Sequence, residues 1–266
     1  HSPALCPPEF YEPFKDHVPA VHSNMDDDLT DKPFSQRLWA EDPNVGLGTA
    51  ASPSEIVGRV AESTRRNLAA ASFVDALIGE ITEAISVSAP KATVLYTADH
   101  GDLNGNHRLR GKGSAMYEEN IRVPLIAAGG AVASTPAVYH RPVSQISITP
   151  TILDFFSVPG TQYIEGESLL PVFRSPETLI GEHVFVEFSR FQITRDTFGG
   201  FQPTRCVRNK RYKLVINIMD RDELYDLEAD PGELANLIDS PEHAAARDAL
   251  HDVLLNWMDE TLDPFR

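Results

Sequence analysis

The chain has 266 residues, of which 42% are hydrophobic and 23% charged, ordinary globular composition for one large domain or one and a half smaller ones. Its formal net charge of −16 repels phosphate backbones and excludes nucleic-acid binding through a broad basic face. No apolar run approaches the ~18 residues of a membrane span, and the two cysteines, Cys6 and Cys206, supply neither a disulfide framework nor a CxxC metal pattern.

Residues 1 to 50 read as a polar, extended arm. Pro3, Pro7, Pro8, Pro13, Pro19, Pro33 and Pro43 punctuate it, and Asp26-Asp27-Asp28 reads as a solvated charge run. Such a segment buries too little apolar surface to fold alone, so it is expected to wrap over a domain, anchored by Phe10, Tyr11, Phe14, Phe34 and Trp39. Ser52-Pro53-Ser54-Glu55 is a capping box that opens a long helix. Val74, Leu77, Ile78, Ile81 and Ile85 recur at helical spacing as one buried stripe, and Pro90 ends the pattern.

Thr93-Val94-Leu95-Tyr96-Thr97-Ala98 and Val123-Pro124-Leu125-Ile126-Ala127-Ala128 read as strands covered on both faces. With the preceding helix they predict an α/β fold with a mainly parallel sheet. A helix packed on it opens near Thr149-Pro150. Beyond about residue 175, Val184-Phe185-Val186-Glu187-Phe188 and residues 211–217 predict a smaller antiparallel sheet, and Leu250, Val253, Leu254 and Trp257 mark one face of a last helix. The expected domains are therefore 1–175 and 176–266.

The chemistry is concentrated in residues 97–113. A buried strand ends in adjacent Asp99 and His100, followed by a loop carrying Gly101, Gly105, His107, Gly111, Lys112 and Gly113. In open α/β sheets ligands bind beyond the carboxyl ends of strands. A carboxylate and an imidazole there suit a divalent cation, and Lys112 offers a point charge for an anionic oxygen. The alternative is an Asp-His pair that merely caps a turn in solvent.

The run from Val94 through Asp99-His100-Gly101-Asp102 to Lys112-Gly113, then Met116-Tyr117-Glu118-Glu119-Asn120-Ile121-Arg122-Val123-Pro124-Leu125-Ile126, resembles the metal-and-lysine segment of the sulfatase family, within the alkaline-phosphatase-like superfamily. Four further pieces follow the family's order. They are Phe73-Val74-Asp75 with Ile78-Gly79, Pro150-Thr151-Ile152-Leu153-Asp154, Gly166-Glu167-Ser168-Leu169-Leu170-Pro171, and Arg211-Tyr212-Lys213-Leu214 with residues 223–237. The resemblance implies an alkaline-phosphatase-like α/β fold with helices on both sheet faces, and a small antiparallel sheet packed with a terminal helix.

It also implies hydrolysis of a sulfate ester of a carbohydrate or aryl group. Asp99 and His100 match two ligands of the family's single divalent metal, usually calcium; Mn2+ or Zn2+ would replace it in a phosphonate or phosphodiester hydrolase. Lys112, twelve positions after His100, matches the lysine that binds sulfate oxygens. His107 is expected to line the substrate pocket or to serve as a hydrogen-bonder within the loop, and Arg205 to meet a carboxylated sugar or to serve as a packing arginine. His1-Ser2-Pro3 resembles the family's "H.P" motif, whose histidine contacts the leaving group. The resemblance favours a periplasmic, secreted or lysosome-like setting.

The family nucleophile comes from a Cys-x-Pro-x-Arg motif, its cysteine oxidised to formylglycine. Neither Cys6-Pro7-Pro8-Glu9-Phe10 nor Arg205-Cys206-Val207-Arg208 matches it, and Ser147 stands where the family usually has Asp. The family's early Asp-Asp metal pair also has no counterpart. The chain is therefore expected to be the carboxyl-terminal part of an enzyme whose amino-terminal half is its missing partner. Alone it is expected to be inactive and poorly stable, because Val94, Leu95 and Leu125 would meet water. The alternatives are a phosphodiesterase or phosphonate monoester hydrolase of the same superfamily, suggested by Gly105-x-His107-x-Leu109-x-Gly111-Lys112, and a non-catalytic subunit retaining a metal-site remnant.

Overall fold

The structure is a computed structural model that describes residues 4–42, 46–48, 52–160, 163–190 and 201–266. These gather into two compact units that interleave along the chain, so neither coincides with the spans 1–175 and 176–266. One unit holds the described residues of His1–Ala89, Asp99–Val123 and Arg190–Gln202; the other holds Pro90–Ala98, Pro124–Ser189 and Pro203–Arg266.

The first unit is built on α3 (Pro53–Ser88), preceded by α1 (Pro8–Tyr11) and α2 (Phe34–Glu41) and followed by the short α4 (Glu118–Ile121). Both halves of the capping box form: Ser52 Oγ accepts from the Glu55 amide, and the Glu55 carboxylate accepts from the Ser52 amide at 2.8 Å. The arm wraps over this helix. The Phe10 and Phe73 rings lie 5.0 Å apart, Tyr11 donates to Glu62 at 2.8 Å, and Met25 joins Leu47, Ile56, Val57 and Val60 in one buried cluster. Trp39 is a buried anchor, whereas Phe34 is exposed.

Two expectations are corrected in this unit. The arm is not extended throughout: it contains short helices, and it buries Trp39 and Ala40 from α2 together with Met25 and Leu29 from the turn and loop before it. The stripe at Val74, Leu77 and Ile81 is exposed, because burial on α3 falls at Ile56, Val57, Val60 and Ala69. That is the part of the helix where the arm and the glycine loop pack.

In the second unit β1 (Thr93–Thr97) pairs with β2 (Leu125–Gly129) in an antiparallel register running from Thr93 opposite Gly129 to Thr97 opposite Leu125. The α/β class stands, but these two strands, expected in a parallel arrangement and covered on both faces, run in opposite directions and are only partly buried. Parallel neighbours need a crossover, usually a helix of several turns. Residues 98–124 contain only a 3-10 turn and the four-residue α4. Gln145 donates from its amide to the carbonyl of Ala98, tying down the end of β1.

The helices α5 (Ile148–Phe155) and α6 (Leu170–Arg174) follow. Thr151 Oγ1 accepts from the Leu169 amide at 2.8 Å and Ser168 donates to Asp154 at 2.7 Å, so two of the quoted motif pieces hold each other in place.

The small sheet, in the order β3 (Val184–Arg190), β4 (Phe201–Arg208), β5 (Tyr212–Asn217) and β6 (Glu223–Asp226), is antiparallel at the β4–β5 and β5–β6 pairings and packs with α7 (Ala244–Glu260). Leu250, Leu254 and Met258 of α7 bury against Val207, Leu214 and Leu224, with Val253 and Trp257 beside them. The Trp257 ring stacks on Phe185 at 4.8 Å. The predicted apolar face of the last helix is the one that packs. Among the described residues no helix is long and apolar enough to cross a membrane.

Candidate active site

Asp99, His100 and Lys112 all lie in the first unit, and the fold brings the three together. The main chain turns sharply after His100. The Gly101 amide donates to the carbonyl of Asn120 at 2.8 Å, and a Cβ at Gly101 would fall 1.9 Å from the carbonyl oxygen of Glu119. Only glycine admits that approach. His100 Nδ1 lies 2.7 Å from the carbonyl of Gly101 and so carries the proton and donates. Its Nε2 lone pair then accepts from the Lys112 ammonium and lies 3.3 Å from Asp99 Oδ2. The Asp99 side chain is 83% exposed and that of His100 30%.

Two lone-pair donors therefore converge on one point. Their 3.3 Å separation matches one edge of a coordination shell with ligand distances of ~2.3–2.6 Å. The Nδ1–H···O=C contact of His100 is the usual second hydrogen bond of a metal-binding imidazole. The donor set thus fits a divalent cation but supplies only part of its shell: no cluster of three His, Cys, Asp or Glu suited to a metal occurs among the described residues.

Lys112 is held by the loop that precedes it. The Leu103 amide donates to the carbonyl of Gly111 and the Gly105 amide to that of Leu109, each at 2.8 Å, closing the loop at its neck. Inside it Asn104, Gly105, His107 and Arg108 all have positive φ, +44°, +100°, +51° and +58°. For non-glycine residues that conformation is costly and persists only where the surroundings impose it.

The surroundings come from the arm. The His107 amide donates to the carbonyl of Asn24 at 2.9 Å, and the Arg108 guanidinium donates to the carbonyls of Asp26, Asp27 and Gly48.

Of the two roles expected for His107, the contacts are those of a hydrogen-bonder rather than of a pocket wall, for the side chain is fully buried. Its Nδ1 lies 2.7 Å from Asp27 Oδ2 and its Nε2 3.0 Å from Asn24 Nδ2, and the ring stacks on Tyr117 at 3.5 Å. Asp27 is correspondingly 7% exposed, which corrects the reading of the acidic run as wholly solvated: Asp26 and Asp28 are exposed, and the middle residue points inward to His107. Arg205 is 2% exposed. Its guanidinium pairs with Asp263 through two nitrogens and sits over the Phe265 ring at 5.0 Å, inside the second unit. His1 lies outside the described residues. Sequence reasoning missed Asn24, Asp27 and Glu119 because nothing local marks them; their partners are about 80 to 95 positions away in the chain.

The sulfatase family profile matches residues 1–158, and that of the carboxyl-terminal region of N-sulphoglucosamine sulphohydrolase matches residues 105–260. The chain belongs to the sulfatase family. It is 37% identical over 271 residues to the uncharacterized sulfatase YidJ of Escherichia coli, covering all of this chain and 50% of that protein. To the choline-sulfatase of Rhizobium meliloti it is 30% identical, over 68% of this chain and 34% of that one. A protein solved with its substrate D-glucosamine-2-N,6-O-disulfate shares the fold with a TM-score of 0.79 at 20% identity, over 99% of this chain and 64% of the other. The chain thus spans half or less of the length of these two curated relatives.

Proposed function

We propose that this chain supplies the cation- and sulfate-binding wall of a sulfuric ester hydrolase. The observation that carries the reading is the convergence of Asp99, His100 and Lys112 on one point beyond β1 in a chain of the sulfatase family. Asp99 and His100 hold one divalent metal, calcium by family resemblance, which lends positive charge to the sulfuryl group when bound. With its proton on Nδ1, donated to the Gly101 carbonyl, His100 would offer Nε2 to the metal. Lys112 places its ammonium on a non-bridging oxygen as negative charge grows there. Such fixed charge is commonly the largest catalytic contribution. His1 is assigned the leaving oxygen, to which it donates a proton. The nucleophile and the remaining metal ligands come from outside these residues, since no Cys-x-Pro-x-Arg sequence occurs in the chain.

The substrate class is an anionic sulfate ester of a carbohydrate or aryl alcohol. The test is an assay of the longest natural polypeptide containing this chain with aryl sulfate, aryl phosphodiester and aryl phosphonate substrates. Preferred turnover of the sulfate ester is expected. Preference for the phosphorus esters would assign the site to phosphonate or phosphodiester hydrolysis, and inactivity on all three would leave the chain a non-catalytic relative.

A further inference from the structure

The buried group least explained by the site is His107, whose ring touches neither Asp99, His100 nor Lys112 in any contact described above. Its hydrogen bonds nevertheless run to both of their supports. Asn24 Nδ2 has two protons: one goes to His107 Nε2 at 3.0 Å and the other to Glu119 Oε1 at 2.8 Å. Glu119 thereby fixes which end of the Asn24 amide faces the imidazole, because an amide oxygen turned toward a carboxylate would be repelled. With a donor at Nε2, His107 must carry its proton on Nδ1, where Asp27 Oδ2 accepts it at 2.7 Å. Only one tautomer satisfies the chain Asp27–His107–Asn24–Glu119, and all four groups come from segments that meet only in the folded protein.

Two members of that chain, Glu119 and His107, each anchor one part of the site. Glu119 precedes Asn120, whose carbonyl holds the Gly101 amide beside Asp99 and His100. His107 sits in the left-handed stretch whose neck, Leu103 to Gly111, delivers Lys112. The stacked Tyr117 ring closes one face of His107, and the Tyr117 hydroxyl is itself held by Gln36 at 2.5 Å.

We propose that His107 is a positioning residue: as the Nδ1–H tautomer, bonded at both nitrogens, it locks the strained loop that sets Lys112 against His100. The inference rests on the functional reading above for the role of Lys112, but not for the geometry it predicts. The informative variant is Asp27→Asn. Its Oδ1 keeps the Leu29 amide, now 2.9 Å from Asp27 Oδ1, and an NH2 replaces the oxygen facing Nδ1. Whichever tautomer the ring then adopts, one nitrogen meets donor against donor. His107→Gln, in contrast, offers an N–H to Asp27 and an oxygen to Asn24.

The experiment uses the full chain and reads acylation of individual lysines by mass spectrometry after brief exposure to an amine-reactive ester, with Lys91 and Lys210 as exposed controls. Asp27→Asn should speed Lys112 labelling about fivefold or more while the controls stay unchanged, and His107→Gln should stay within about twofold of the native rate. Ring 15N spectra should show His107 as the Nδ1–H tautomer in the native chain. Should Asp27→Asn fail to fold, Asn24→Ala removes the other partner and carries the same expectation. Unchanged Lys112 labelling in the folded variant, or an Nε2–H tautomer in the native protein, overturns the proposal. Failure to hydrolyse sulfate esters would instead overturn the functional reading and leave this result standing.

Discussion

The Lys112 ammonium donates to the imidazole nitrogen of His100 that the Gly101 carbonyl, by holding the other ring proton, leaves unprotonated. The lysine and the histidine are twelve positions apart, and a loop with five residues of positive φ folds one back onto the other.

Lys112→Ala, in the longest natural polypeptide containing this chain, is expected to lower kcat/KM for an aryl sulfate by more than about tenfold, the rate equivalent of ~1.4 kcal/mol. Steady-state kinetics give the answer. An unchanged kcat/KM would remove Lys112 from the active site.

Asp99→Asn and His100→Ala should each weaken divalent-ion affinity by at least about tenfold, since each removes one first-sphere donor. Terbium luminescence or calorimetry with Ca2+ in that same polypeptide measures it directly. Equal affinity in both variants would place the metal elsewhere.

Arg205 and Asp263 are both 2% exposed at their side chains, so Asp263→Ala leaves a buried guanidinium without its carboxylate. The expected loss is ~3–5 kcal/mol, typical of breaking one partner of a buried pair. Urea denaturation followed by Trp257 fluorescence, the ring stacked on Phe185, reads it. A loss below ~1 kcal/mol would mean that solvent reaches the arginine.

Lys213 and Glu233 are 0% and 1% exposed, with Nζ and Oε1 2.5 Å apart. Lys213→Met alone should destabilise strongly, whereas Lys213→Met with Glu233→Leu should recover most of the loss, because a buried pair is often replaceable by apolar groups but not by half of itself. A double variant no more stable than the single one would refute this.

The hydrogen bonds from Arg205 to Asp263 and from Arg211 to Asp226 hold both carboxyls below the ordinary range. A depressed folded-state value contributes stability that is present above the unfolded pKa of ~3.9 and lost as pH falls through the folded value. Burial raises Asp222 instead, so its contribution has the opposite sign and eases as it becomes protonated. Two against one, the second unit should lose stability on acidification below about pH 4, with Asp222→Asn making it more stable at neutral pH. Thermal melts across pH 3 to 7, roughly the carboxylate range, would expose a wrong sign.

Much of this was legible in the residue order. The capping box, the strand just ahead of Asp99, the terminal helix face and the family's ordered motifs depend on neighbours within a few positions, where backbone geometry dictates what a side chain can reach. The orientation of β2 against β1 was not, since apolar runs look alike whichever way a strand points. The stripe on α3 was read correctly as apolar and wrongly as covered, because a sequence states a preference for burial and not the presence of a partner.

What the sequence by itself determined is the family and the α/β class, and it marked Asp99, His100 and Lys112 as candidates that the fold then brings together. What only the tertiary structure decided is that Asp27 is an interior partner rather than a solvated charge, and that His107 and Arg205 face inward to carboxylates. Hydrogen bonds and ion pairs are short-range, and the sequence separations they bridge here, 80 residues from Asp27 to His107 and 58 from Arg205 to Asp263, leave no trace in local pattern.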